Sequence, residues 1–213
     1  MEEIIKDFTG RTDIQCNMVI SSSGKITAQL LEGAPFDVFI SADMSYPQKI
    51  YDAGLAVDSP VVYARGKLVL WSTEHEHLNQ LKEIEHPDFK YIALANPRVA
   101  PYGKAAQQAL QYYQLYDKHQ KKWVFGESVA QVNQFVISEA VAAGFTAKSV
   151  VLSPELKGQG TWIDIDPEAY DPIEQGVVVL KNSPHIDVAI KFKDYLLSKE
   201  ASKILEKYGY DMP

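Results

Sequence analysis

Serine, glycine and lysine crowd into one short stretch, Ser21-Ser22-Ser23-Gly24-Lys25, between an apolar run and a helical pattern. Two other turns share its physics. Pro101-Tyr102-Gly103 and Gly126-Glu127-Ser128 also lead directly into helical patterns. A helix start exposes about four backbone N–H groups without partners inside the helix, and the macrodipole adds roughly half a positive charge there. Glycine permits close backbone approach, and serine adds a hydroxyl donor. Starts of this kind bind an anion by hydrogen bonds if several converge. Taken singly, each is an ordinary helix cap, and spacing along the chain does not show convergence.

Enzyme chemistry is harder to build from these residues. Ser23-Gly24-Lys25 has the end of a phosphate-binding loop, but Val19 stands where that motif needs its first glycine. Ile26 stands where a Ser or Thr must hold magnesium. No Gly-x-Ser-x-Gly elbow is present. His75 and His77 flank Glu76 in a charged stretch that reads as a solvated loop, and a metal there would need ligands from elsewhere. His86, His119 and His185 are scattered beside Pro or charged residues and pair with no nucleophile. Tyr112, Tyr113 and Tyr116 read as packing and surface aromatics. Ser23 or Lys25 as a nucleophile remains the enzyme alternative, without a recognisable partner base.

The elements that must position these turns alternate between strand and helix, which implies an α/β fold with a largely parallel sheet. Ile4, Ile5 and Phe8 suggest the end of an amphipathic helix, and Ile14 to Ile20 reads as a strand. A helix through Ile26, Leu30 and Leu31 stops at Gly33 and Pro35. Phe36 to Ile40 is a buried strand, followed by a helix near Pro47 to Ala53. Val61 to Tyr63 and Leu68 to Trp71 are apolar runs split by Arg65-Gly66-Lys67. Tyr91 to Ala95 and Val124-Phe125 are strands. Ser128 and Gln131 form a capping-box pattern ahead of Val132, Phe135 and Val136. Phe145, Val150 and Val151 are strand-like, Val177 to Leu180 is the last strand, and two helices close the chain.

The bulk properties narrow the function further. The 213 residues are enough for one large domain or two small lobes with a sizeable core. The net charge of -7 disfavours nucleic acid, whose binders need Lys and Arg against phosphates. A small anion is not disfavoured, because backbone N–H groups can hold it. A single cysteine, Cys16, excludes a disulfide framework and reads as a buried, inert thiol. No apolar run is long enough to span a membrane. Met1-Glu2-Glu3 leads straight into a helical pattern with no signal peptide, so the start reads as a boundary of the gene or as a cytoplasmic chain.

Ser21 to Lys25, together with Gly33-Ala34-Pro35-Phe36-Asp37-Val38-Phe39-Ile40-Ser41-Ala42-Asp43, is similar to the molybdate-binding protein family of ABC importers. The similarity continues at Ala95-Asn96-Pro97, Pro101 to Ala106, Gly126 to Val129 and Gly144 to Ser149. It ends with Pro172-Ile173 and Ala201 to Gly209, so it runs through nearly the whole chain in order. The resemblance implies a class II periplasmic binding protein, with two α/β lobes on a two-stranded hinge and an oxyanion in the cleft. Lobe 1 is expected to combine 1–63 with 151–213, and lobe 2 to be 64–150.

The resemblance also implies a site and a role. Ser23 is expected to give a hydroxyl and N–H, with Ser22 beside it. Tyr102 and Val129 are expected to give backbone N–H groups from the other lobe, and Ala147 to line the site. Molybdate would thus be held through its oxygens, with no separate cofactor. Some relatives carry a Tyr donor at the position of Ala147, which alanine cannot replace. The similarity starts after the family's first strand and first serine loop. A nanomolar site needs about 12 kcal/mol, and loss of a hydroxyl and N–H would remove on the order of 3–6 kcal/mol. Weak binding and an open sheet edge are therefore expected. The implied role is a monomeric, non-enzymatic periplasmic protein that delivers molybdate or tungstate to membrane permease subunits. Sulfate or phosphate on the same fold is one alternative, and a ligand-sensing domain is another.

Overall fold

A stripe of two apolar residues one helical turn apart, Ile4 and Phe8, opens the computed structural model, which describes residues 1–75 and 78–213. They form the buried face of helix α1 (Glu2–Thr12). Phe8 meets Phe192 edge to face, with ring centroids 5.1 Å apart. The chain divides into two units, Met1–Arg65 with Glu174–Pro213, and Gly66–Ile173.

The first unit continues with α2 (Ser23–Leu31), strand β1 (Val38–Ser41), α3 (Ser45–Asp52) and β2 (Val61–Gly66). In the second unit, β3 (Leu68–Ser72), β4 (Ile92–Ala95), α4 (Pro101–Tyr112) and β5 (Trp123–Gly126) come first. They are followed by α5 (Val129–Ile137), β6 (Ala143–Ala147), α6 (Lys148–Val151) and β7 (Thr161–Asp164). The chain returns through β8 (Ile173–Val179) and ends with α7 (Ile186–Leu196) and α8 (Lys199–Lys207).

The α/β class agrees with the sequence, but the sheets are mixed. The first unit's sheet has the order β1-β8-β2, with β1 antiparallel to β8. The second has the order β5-β4-β6-β3-β7. There β4 runs parallel to both β5 and β6, while β3 is antiparallel to β6 and β7. The parallel part is where helices connect successive strands, as crossover geometry requires. The two chain crossings, Arg65–Gly66 and Ile173–Glu174, lie in β2 and β8, which are neighbours in one sheet.

Three sequence expectations change. The second crossing comes at Ile173–Glu174, so 151–173 belong to the second unit rather than to lobe 1. The reason is β7, which pairs with β3 from Ser72↔Thr161 to Val69↔Asp164. Ile14 to Ile20 forms no strand: a strand needs a partner, and no ladder among the described residues includes this run. Val19 and Ile20 are left 61% and 75% exposed. Val150 and Val151 are helical, in α6, despite their β-branched side chains. Packing and the turn after β6 override that propensity.

Polar ties hold α1 to the C-terminal helices of its own unit. The Tyr195 hydroxyl donates to Asp7 at 2.5 Å, and the Tyr208 hydroxyl to Glu3 at 2.6 Å. Lys207 adds an ion pair to Glu3 at 2.8 Å. Lys193 on α7, itself buried, pairs with Asp58 at 2.5 Å. The C-terminal tail closes on β2, with Arg65 and Asp211 exchanging backbone hydrogen bonds at 2.7 and 2.9 Å.

Candidate anion-binding site

In the first unit, Ser22 is the N-cap of α2, and Ser23 is its first helical residue. The Ser22 hydroxyl accepts the Lys25 N–H at 3.4 Å. The Ile26 N–H closes on the Ser22 carbonyl at 3.1 Å. These bonds leave the Ser23 and Gly24 N–H groups in the part of the first turn where the helix offers no acceptor. The Ser23 hydroxyl oxygen accepts the Ala42 N–H at 3.4 Å. A hydroxyl that accepts there keeps its own proton for another acceptor. The turn bearing Ala42 is itself fixed. Ser41 Oγ accepts the Asp43 N–H at 3.2 Å, and Asp43 Oδ1 accepts the Ser45 N–H at 2.5 Å, at the first residue of α3. The Asp43 carboxylate is thus occupied at a helix start, where its charge is favourable.

The second unit gathers its helix starts by topology. β4, β5 and β6 share one direction, and Ala95 is in register with Gly126. Their carboxyl ends therefore lie on one edge of the sheet, and α4, α5 and α6 all begin there. Open α/β sheets bind ligands outside the carboxyl ends of such strands. Neighbouring strands are about 4.8 Å apart, so starts on three adjacent strands lie close together. Two of the three turns singled out in the sequence, those before α4 and α5, thus share one edge of this sheet, while the α2 start belongs to the first unit.

Each start is specified by local chemistry. Pro101 occupies the first turn of α4 and has no N–H, so Tyr102 supplies the helix's first N–H, while its ring is buried. A Cβ on Gly103 would lie 2.1 Å from the Ala95 carbonyl oxygen, so α4 can begin this close to β4 only with glycine there. In α5, Ser128 Oγ accepts the Gln131 N–H at 3.3 Å. The Gln131 side chain reaches back to the Glu127 N–H at 2.7 Å, one residue before the cap rather than at it. Neither bond uses the N–H of Val129, the first residue of α5.

Ala147 ends β6 and caps α6 with no side-chain hydrogen bond. It is buried, and the N–H that follows it, on Lys148, donates to the Lys67 carbonyl at 2.9 Å. Ala147 therefore brings a methyl group and no donor side chain. The cations near this edge are engaged. Lys104 pairs with Asp171 at 3.1 Å, and Lys148 lies 2.8 Å from both oxygens of Asp164. The donors at the helix starts are neutral hydroxyl and backbone N–H groups.

The other sequence candidates are structural. His75 stacks on Phe89 at 4.3 Å, while Glu76 and His77 lie outside the described residues. His86 lies 3.2 Å from Asp88, His119 lies 3.1 Å from Glu85, and His185 stands at the N-cap position of α7 without a side-chain capping bond. Among the described residues no group of three or more His, Cys, Asp or Glu could hold a metal ion. Cys16 is half-buried rather than buried, and burial, then Asp37, pushes its thiol pKa up, away from reactivity. Tyr112 and Tyr113 meet edge to face at 5.1 Å near the end of α4, and Tyr116 stacks on Trp123. Sequence reasoning missed two partners of the Ser23 start, the Ala42 N–H and the Tyr46 ring. The Ser41-Ala42-Asp43 motif was a signal for the first, and none pointed to the second.

Comparison with known proteins bears on the family and the fold. Residues 1–211 match the model of the family described as bacterial extracellular solute-binding protein. The molybdate-binding protein ModA of Rhodobacter capsulatus is 36% identical over 210 residues, covering 98% of this chain and 82% of that protein. ModA of Azotobacter vinelandii is 34% identical over 215 residues, covering 100% and 85%. The solved structure of the Azotobacter vinelandii periplasmic molybdate-binding protein superposes with a TM-score of 0.94 at 33% identity, covering all of this chain and 94% of that one.

Proposed function

This chain belongs to the bacterial extracellular solute-binding protein family, and on that premise we propose that it binds molybdate or tungstate and delivers it to an ABC importer. The observation that carries the reading is the set of neutral donors at helix starts, at Ser22 and Ser23 in one unit and at Tyr102 and Val129 in the other. Relatives 34% and 36% identical are named for molybdate, which supports that choice of cargo.

The chemistry follows from the donor set. A tetrahedral dianion has only acceptors to offer, and every group assigned to it is a donor. The Ser23 hydroxyl and N–H take one part of the ion, with Ser22 holding the turn. In the second unit, the N–H groups of Tyr102 and Val129 are donors of the same kind. Ala147 contributes shape through its methyl group. Each such bond to a charged group is worth roughly 1.5–3 kcal/mol, so each donor lost or kept changes affinity by about tenfold or more. The cargo leaves unchanged, so no nucleophile or base is needed. A single copy working in the periplasm fits this role, and no helix among the described residues is long and apolar enough to cross a membrane.

Titration calorimetry against molybdate, tungstate, sulfate and phosphate tests the proposal. Binding of the first two at least about 100-fold tighter than of the others is expected. Phosphate carries a proton near neutral pH and needs an acceptor in the site; Asp43 Oδ1 is already engaged, and Glu127, one residue before the cap of α5, is the candidate acceptor that the phosphate titration tests. Preference for sulfate or phosphate would reassign the cargo, and silence toward all four ions would reject the function.

A further inference from the structure

Helix α5 lies on β6 at a glycine. A Cβ on Gly144 would come within 2.7 Å of a Val136 methyl and 2.8 Å of a Val132 methyl, so the two valines rest directly on the strand's backbone. Both valines are fully buried. Contact of this kind fixes how near the helix lies. Apolar packing is non-directional, so it does much less to fix the helix's rotation and height on the strand.

A directional contact comes two residues further along β6. Thr146 shares a face of the strand with Gly144, because alternate residues point the same way. It is fully buried, and its hydroxyl donates to Asn133 Oδ1 at 2.6 Å. The branched Cβ of threonine is stiff at χ1, which holds that hydroxyl in one direction. Asn133 is half-buried on α5, one helical turn after Val129. Thr146 is the next-to-last residue of β6, close to the carboxyl edge at which α5 begins.

Intrinsic preference does not explain this pair. Asparagine is a poorer helix former than leucine or alanine, and a hydroxyl is costly to bury. Replacing both partners of a buried hydrogen bond by apolar groups of similar shape is nearly neutral for stability. What the polar pair adds is one preferred alignment of helix and strand.

We propose that Thr146 and Asn133 are positioning residues for the second unit's oxyanion donors. Their hydrogen bond sets the rotation and height of α5 on β6, and with them the direction of the Val129 N–H. The inference rests on the molybdate reading above and concerns how one of its donors is held.

The test compares wild type, Thr146→Val, Thr146→Ser and the double variant Thr146→Val, Asn133→Leu by molybdate calorimetry, with thermal unfolding of each. Thr146→Val and the double variant should bind molybdate about tenfold more weakly, and Thr146→Ser, which restores the hydroxyl, should recover affinity to within about twofold. The double variant should unfold close to the wild-type midpoint. Wild-type affinity in the double variant would overturn the proposal and leave the binding function standing. Thr146→Ser binding as weakly as Thr146→Val would assign the effect to side-chain volume, against the proposal. A lowered midpoint together with weakened binding in the double variant would make the pair a packing element, also against it. Absence of binding by wild type would reject the binding function, and this inference with it.

Discussion

The Ser23 hydroxyl accepts the Ala42 N–H at 3.4 Å, joining the start of α2 to the turn after β1 across nineteen positions of sequence. This bond orients the serine. With an N–H on its oxygen, the hydroxyl proton points elsewhere, and an acceptor-only ligand can take it. Ser23→Ala should remove that donor while keeping the helix start and its N–H. Molybdate affinity should fall on the order of 10- to 100-fold in calorimetry, with only a small change in unfolding midpoint.

Gly103→Ala should be far more costly to the fold. Its Cβ would meet the Ala95 carbonyl oxygen at 2.1 Å, and neither backbone can yield without moving α4 off β4. A loss on the order of 3 kcal/mol is expected in denaturant unfolding, with weakened anion binding because the Tyr102 N–H moves with the helix.

Ser128→Ala removes the cap of α5. Its loss should lower stability by about 1 kcal/mol. Because Val129 is the next residue, fraying at this end should also weaken molybdate binding. Ser128→Asp, which restores a capping oxygen but adds a negative charge beside the donors, should recover stability and not affinity.

Acid should loosen the tie between α1 and the C-terminal helices. Lys207, then Tyr208, holds the Glu3 pKa below its ordinary 4.5, and Arg11, then Tyr195, holds that of Asp7 below 3.8. Depressed carboxylate values contribute stability that is present above the unfolded-state pKa and lost as pH falls through the folded one. Melting midpoints followed downward from neutrality should therefore drop below about pH 4.5. A Glu3→Gln, Asp7→Asn double variant should start lower and show a flatter acid limb.

The two ends of the Lys193–Asp58 pair should respond unequally. The Lys193 side chain is 9% exposed, and that of Asp58 is 48% exposed. Asp58→Ala leaves a buried ammonium without its partner and should cost about 2 kcal/mol. Lys193→Met leaves a carboxylate that water can reach, and should cost less in the same unfolding experiment.

Much of the site was legible because it is written in local chemistry. Ser22 and Ser128 as caps, Pro101 in a first turn and Gly126 before a cap each specify a helix start within a few residues. The resemblance through Gly33 to Asp43 then supplied the family. The rest depends on long-range pairing. Ile14 to Ile20 has the composition of a strand and no partner, so it forms none. Residues 151–173 join the second unit because β7 finds β3 some ninety residues earlier, a pairing that local pattern does not carry. The Ala42 bond to Ser23 and the placement of Tyr46 over Gly24 arise from how α3 packs on Gly176.

Thermal unfolding with and without molybdate tests the account most directly, because a ligand bound only by the folded state stabilises it by mass action. At 100 times the dissociation constant the gain is about 2.7 kcal/mol, which for a chain of this size raises the midpoint by roughly 5–10 °C. The account predicts that rise for wild type with molybdate or tungstate, a much smaller one with equimolar sulfate, and a reduced one for Ser23→Ala. An unchanged midpoint in millimolar molybdate, or an equal rise with sulfate, would contradict it.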